Sequence, residues 1–342
     1  MKTKPQPLKN GSPLLARARS NQSDELTVEE RSKLLAVARR FYLEDQSKIQ
    51  IAAEFQISRF KVARMLELAR AQGLVTISLN DDGAVDWDLS QQLAQHLGLA
   101  EVIVVHANGD TEQVRKRVAA AAAEFLSSTL RDGEVLGMAW GRTLSALTTS
   151  LPRLPRMSIV QLTGAAGSDV GQSPVELVRL IAQNSGGSAH PIFAPLVVET
   201  AETARSLRQQ PDIARAFAMF ADVTTALVSV GSWNPPDSQL YEFLPQGERE
   251  DLVARGVVAE VSATLLAADG AEIADDFVDR TIAVSSAQLR AIPRVLAVAA
   301  GARKAVAVAA VARAGLITGL VTDHTLAIEA LAAASPRPGG SA

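Results

Sequence analysis

Between residues 27 and 72 the apolar positions recur at helical spacing, and neither glycine nor proline interrupts them before Gly73. A first helix is expected over 28–43, where Leu34, Leu35, Val37, Ala38, Phe41 and Tyr42 form an apolar stripe. Ser47 can cap a second helix starting at Lys48, with Ile51 and Phe55 one helical turn apart on the same face. Gln56 and Ile57 make a turn, and Ser58 caps a third helix running from Arg59 to Arg70. There Val62, Met65, Leu66 and Ala69 share the buried side, while Arg59, Phe60, Lys61 and Arg64 occupy the other. Residues 74–79 alternate and predict a short strand, and Asn80-Asp81-Asp82-Gly83 predicts a turn at a domain boundary.

Beyond residue 88 the texture changes to short apolar runs separated by amphipathic helical stretches. Helices are expected at 88–97, 111–130 and from about 143, and strands at 101–105, 134–138, 157–162, 192–198, 224–230, 257–266 and 295–299. The run 305–309 suits either element. Strands alternating with helices predict βαβ units and a mostly parallel, Rossmann-like sheet. The expected division is a disordered arm (1–26), a helical domain (27–80), an α/β domain (81–333) and a disordered tail (334–342).

Charge changes the picture. The 342-residue chain has a formal net charge of −3, which by itself argues against a nucleic-acid partner. Yet residues 1–80 carry 14 Lys and Arg against 8 Asp and Glu, so the remainder is strongly acidic. A basic module on an acidic body suits a DNA-binding domain joined to a sensing domain. The capped helix–turn–helix spacing then predicts an all-α, winged helix-turn-helix unit, with strand 74–79 as the wing. Its N-terminal turn would meet the major groove. Lys48, Ser58, Arg59, Phe60, Lys61 and Arg64 are the candidate DNA contacts, the cations for phosphates or guanine edges.

The chain has no cysteine, which removes disulfides, thiolate metal sites and a cysteine nucleophile, and fits a cytoplasmic protein. No apolar run reaches the ~18 residues of a membrane span. His96, His106, His190 and His324 show no metal-ligand spacing, and Asp275-Asp276 reads as a solvated pair. Ser232, His190 and Asp222 lie in no nucleophile-elbow pattern. Neither catalytic residues, a cofactor nor a metal are expected.

The segment from Ser47 to Val75, with its Ile-Ser-Arg step at Ile57-Ser58-Arg59 and Ala69-Arg70-Ala71-Gln72-Gly73-Leu74-Val75 after it, resembles the SorC family of sugar-responsive transcription regulators. Lys48 stands where that family usually has Gln. Further matches follow in order: Val160-Gln161-Leu162-Thr163-Gly164-Ala165-Ala166-Gly167, Ala194-Pro195-Leu196, Gly256-Val257-Val258-Ala259-Glu260-Val261, Ala299 to Ala305, and Leu320-Val321-Thr322-Asp323-His324. The resemblance covers about residues 30–332. It implies a C-terminal domain similar to phosphosugar isomerases and deaminases of the glucosamine-6-phosphate deaminase type. That domain would bind a sugar, polyol or sugar phosphate as effector. Gly141, Arg142 and Thr143 are then expected to hold its phosphate or an equivalent polar group, with Gly164 in a neighbouring loop. Glu260 and Lys304 would contact the sugar and its phosphate. Ala165, Ala259 and Ala300 replace family glycines, so the pocket is expected to be narrower or its ligand different.

The implied partners are operator DNA, such an effector, and further copies of the chain in a homodimer or homotetramer, with no membrane. The alternative function is a phosphosugar isomerase- or deaminase-like enzyme with an added N-terminal domain.

Overall fold

The computed structural model describes residues 26–76, 82–166, 173–273 and 276–333. The arm at 1–25 and the tail at 334–342 lie outside the described residues. The chain divides into two compact units, 1–80 and 81–342.

Helices α1 (Val28–Tyr42), α2 (Lys48–Glu54) and α3 (Arg59–Ala71) form the first unit. Each start is set by a side-chain cap. Thr27 and Ser47 make reciprocal capping boxes with Glu30 and Gln50, and Ser58 Oγ accepts from the Lys61 amide at 3.2 Å. Gln56, at φ +52°, turns the chain between α2 and α3. The apolar faces meet in a core of Leu34, Val37, Ala38, Ile51, Val62, Leu66 and Ala69. Ile51 and Val62 are fully buried, and burial of such side chains contributes about 1.5–3 kcal/mol each. The strand expected at 74–79 is not seen in its described part. Leu74 and Val75 instead turn back over this core, both amides donating to Ala69 O, and 77–81 lie outside the described residues.

The second unit begins with α4 (Trp87–Leu97), β1 (Glu101–Val105), α5 (Thr111–Thr129), β2 (Val135–Met138) and α6 (Arg142–Ala146). Next come β3 (Ser158–Gln161), α7 (Pro174–Ser185), β4 (Ser188–His190), α8 (Ala201–Arg208), α9 (Pro211–Ala218) and β5 (Thr225–Val228). Then follow β6 (Val230–Trp233), β7 (Pro236–Asp237), α10 (Gln239–Phe243), α11 (Gln246–Ala254), β8 (Ala259–Val261) and β9 (Thr264–Leu266). The unit closes with α12 (Asp276–Asp279), α13 (Ser286–Ala291), β10 (Arg294–Val298), α14 (Ala305–Arg313), β11 (Gly319–Asp323) and α15 (His324–Ala332).

Seven strands make one parallel sheet in the order β1-β11-β10-β5-β2-β3-β4. β5 and β11 are buried at every residue, the pattern of strands covered on both faces. A second, antiparallel sheet runs β7-β6-β8-β9. One side of it packs into the core of the parallel sheet through Val230, Ala259, Val261 and Leu266, and a second apolar cluster gathers Trp140, Trp233, Leu240, Leu252, Leu265 and Phe277.

Several expected strands are corrected by this architecture. The run 224–230 is two strands, because the chain leaves the parallel sheet at Ser229 and enters the antiparallel one at Val230. The run 257–266 is a hairpin, β8 to β9, turned by Ser262 and Ala263 at φ +49° and +66°. Residues 192–198 form no strand; Pro195 lies in their middle, and only isolated bridges at Pro195 and Val197 form there. The run 305–309 is helix α14.

Candidate functional site

The parallel sheet reverses its winding at β2 and β5. From β2 the chain proceeds outward through β3 and β4, and on its return β5 pairs with the other side of β2. Open α/β sheets bind ligands at such a switch point, beyond the carboxyl ends of the strands. Three segments converge there: Trp140-Gly141-Arg142-Thr143 after β2, Ser229-Val230-Gly231 after β5, and Lys304 after β10. The antiparallel sheet adds Asp237, Ser238, Glu260 and Ser262.

Close backbone approach holds the walls together. Gly141 sits at φ +152°, and a Cβ there would meet the Ser229 side chain, whose Oγ donates to Trp140 O at 2.6 Å. Glu260 lies against Gly231 across the β6–β8 pair. A Gly231→Ala chain would drive its methyl into the Glu260 carboxylate and to 2.8 Å from Ser238 Cβ. We expect that variant to lose effector affinity by about tenfold or more, the worth of one displaced charged hydrogen bond. Calorimetric titration checks this.

Lys304 is buried, and its Nζ donates to Val230 O at 2.7 Å. Burial pushes its pKa down, opposed in part by the nearby Asp237 carboxylate. Burial likewise pushes the Glu260 carboxyl up, against the hydrogen bonds it accepts from Ser238 and the Ala263 amide. Ser238 Oγ donates to Glu260 Oε1 at 3.0 Å. Arg142 Nη2 donates to Asp237 Oδ1 at 2.8 Å and Nη1 to Glu242 Oε1 at 3.1 Å. The cleft thus offers an ammonium, a guanidinium and a buried carboxyl within one small volume. That set suits a ligand that is anionic at one end and rich in hydroxyls at the other.

Of the expected effector residues, the structure brings Gly141, Arg142, Thr143, Glu260 and Lys304 to this cleft. Gly164 does not line it. Its Cα faces the backbone of Pro195 and Leu196, which a Cβ would strike, and its amide donates to Ile282 O at 2.6 Å. The residue serves a close loop crossing. Sequence reasoning missed Ser229, Asp237, Ser238 and Ser262. Ser262 is buried in a left-handed conformation and its Oγ has no protein partner. Strain of this kind clusters at ligand sites.

In the first unit Ser58, Arg59, Phe60, Lys61 and Arg64 are all exposed on α3, and Lys48 is exposed at the start of α2. Arg59 lies 4.9 Å from the Phe60 ring centroid and Lys48 5.6 Å from that of Phe41. Ser232 and His190 do not meet: Ser232 Oγ donates to Pro235 O, and His190 Nε2 is paired with Ser188 Oγ. No helix among the described residues is long and apolar enough to cross a membrane.

The family model described as "Putative sugar-binding domain" matches residues 84–332. The transcriptional regulator YjhU of Escherichia coli K12 is 28% identical over 316 residues, covering 86% of this chain and 93% of that protein. The deoxyribonucleoside regulator of Bacillus subtilis is 28% identical over 275 residues, covering 79% of this chain and 88% of its own. Among solved structures, the full-length sorbitol operon regulator SorC of Klebsiella pneumoniae shares the fold. Its TM-score is 0.68 at 24% identity, over 89% of this chain and 99% of that one. The chain belongs to this sugar-binding-domain family, the SorC family of transcriptional regulators.

Proposed function

We propose that the protein regulates a sugar or polyol catabolic operon, binding operator DNA through α1–α3 and a carbohydrate or sugar-phosphate effector in the switch-point cleft. The observation that carries this is the cleft itself: Lys304, Arg142 and Glu260 converge on one opening of the family-matched domain. α2 and α3 act as a helix-turn-helix, with Arg59, Phe60, Lys61 and Arg64 offered to the major groove and Ser58 and Lys48 near the phosphates. A body akin to phosphosugar isomerases and deaminases, as the family resemblance implies, would account for an anion-binding cleft in a protein that acts by binding. The effector must prefer one of two DNA-affinity states, since equal affinity for both would shift nothing. A two-fold homodimer, or a homotetramer built from it, would set two α3 helices on successive major grooves.

The test is a thermal-shift screen of sugars, polyols and sugar phosphates, followed by DNA binding with each hit. A hit is expected to change affinity for the DNA upstream of the protein's own gene by about 5- to 150-fold, the usual range of allosteric coupling. Absence of specific binding to that DNA, with or without a hit, would sink the reading.

A further inference from the structure

The cleft holds part of the chain itself. Asp237 and Ser238 enter it from the segment joining β6 to α10. Arg142 divides its guanidinium between Asp237 of that segment, at 2.8 Å, and Glu242 of α10, at 3.1 Å. Arg115, from α5, stands 3.5 Å from the same Asp237 oxygen. Arg303, next to Lys304, donates to Pro236 O at 3.0 Å. One residue beyond the aspartate, the Ser238 hydroxyl sits on Glu260. A carboxylate therefore lies among the cations, and a hydroxyl lies on the acidic acceptor a few bonds away. A sugar phosphate presents its groups in the same order.

We infer that Asp237-Ser238 is a tethered surrogate for the effector, and that a phosphorylated ligand enters by displacing it. The carboxylate stands where the phosphate binds, and the hydroxyl where a sugar hydroxyl binds. This rests on the cleft being the effector site, and it narrows the effector to one with a dianionic group. A neutral sugar offers Arg142 only uncharged hydroxyl acceptors in exchange for the carboxylate. A phosphate brings more charge and three strong acceptor oxygens. Because Asp237 and Glu242 hold the same guanidinium, its capture by phosphate loosens both ends of 237–242 together. Ligand entry is thereby converted into release of α10.

Titration of the full-length protein with inorganic phosphate tests this, by calorimetry on the wild-type, Asp237→Asn and Lys304→Met chains. A surrogate in place nine-tenths of the time weakens apparent affinity about tenfold, so Asp237→Asn is expected to bind phosphate about tenfold more tightly. Glu242→Gln, at a side chain 59% exposed, is expected to shift affinity the same way by a smaller factor. In the wild-type chain, phosphate is expected to speed hydrogen exchange at 239–243. Unchanged or weaker phosphate binding by Asp237→Asn overturns the inference; the aspartate would then merely orient Arg142. Suppose Lys304→Met loses phosphate while Asp237→Asn leaves its affinity unchanged. The cleft then stands as the effector site and only the surrogate falls. If phosphate binds the Lys304→Met chain as tightly as the wild type, the anion binds elsewhere, and the reading of the cleft falls together with the surrogate.

Discussion

Replacing Lys304 by methionine is expected to abolish the response of DNA binding to effector, while leaving effector-free DNA affinity within about threefold. The reason lies in the cleft. Lys304 is buried there with its Nζ on Val230 O, and the nearby Asp237 and Glu260 carboxyl groups favour its charged form against burial. A charge-assisted hydrogen bond to a ligand contributes about 1.5–3 kcal/mol, so effector affinity should fall by roughly 10- to 150-fold. Methionine matches the length of the lysine stem and leaves no large void. Relief of a buried ammonium offsets part of the cost of leaving Val230 O without its donor, so fold stability is expected to drop by no more than about 1–3 kcal/mol. Fluorescence anisotropy on operator DNA, with and without the effector found by screening, reads the first effect. Thermal melting reads the second. A variant that still responds to effector would remove Lys304 from the ligand's contacts.

The second large effect is expected on the other unit. An Arg59→Ala, Arg64→Ala chain should lose about 1–3 kcal/mol of DNA binding per guanidinium if these side chains reach base edges. If they meet phosphates, the slope of log affinity against log salt should become shallower by about 1 for each. Both side chains are exposed, and the buried face of α3 is built from Val62, Leu66 and Ala69. Melting temperature and effector affinity should therefore be unchanged. DNA titrations at several salt concentrations separate the two modes. Unaltered affinity and slope in the double variant would move the DNA contact away from α3.

The elements that could be read in the chain were those with a strong local signal. Capping serines at Ser47 and Ser58 and the apolar stripe of α3 stand in the sequence in their final roles. Strands β1, β2, β3 and β10 each centre on two or more consecutive apolar residues, and they fell where expected. β4 was missed because Ser188–His190 is a short polar edge strand with no apolar run to mark it. Residues 224–230 looked like one strand because nothing in hydropathy marks a change of sheet at Ser229. Ala305-Val306-Ala307-Val308-Ala309 alternates weakly and lacks any breaker, so packing alone decides for helix α14.

The site follows the same logic. Gly141, Arg142, Glu260 and Lys304 sit in motifs that a family resemblance can carry. Asp237 and Ser238 sit in a connecting segment without a motif, and their partners Arg142 and Glu260 lie 95 and 22 residues away. Only the crossing from β5 to β6 brings them face to face. Ser262 carried a faint signal at most, because a two-residue hairpin turn usually announces itself with Gly or Asn, and Ser262-Ala263 has neither.

The separate apolar cluster beneath the antiparallel sheet bears on how such a regulator changes its diet. The cleft has one wall from the parallel sheet, with Gly141, Arg142 and Lys304, and one from the small sheet, with Asp237, Glu260 and Ser262. The second wall rests on Trp233, Leu240, Leu265 and Phe277, while Val230, Ala259, Val261 and Leu266 of the same strands join the main core. On the proposed reading of the cleft, substitutions at Trp233, Leu240 or Leu265 are expected to reshape this wall while the seven-stranded sheet keeps its packing. On the same reading, new effector preferences would arise by drift at those few positions, with Arg142 and Lys304 kept in place.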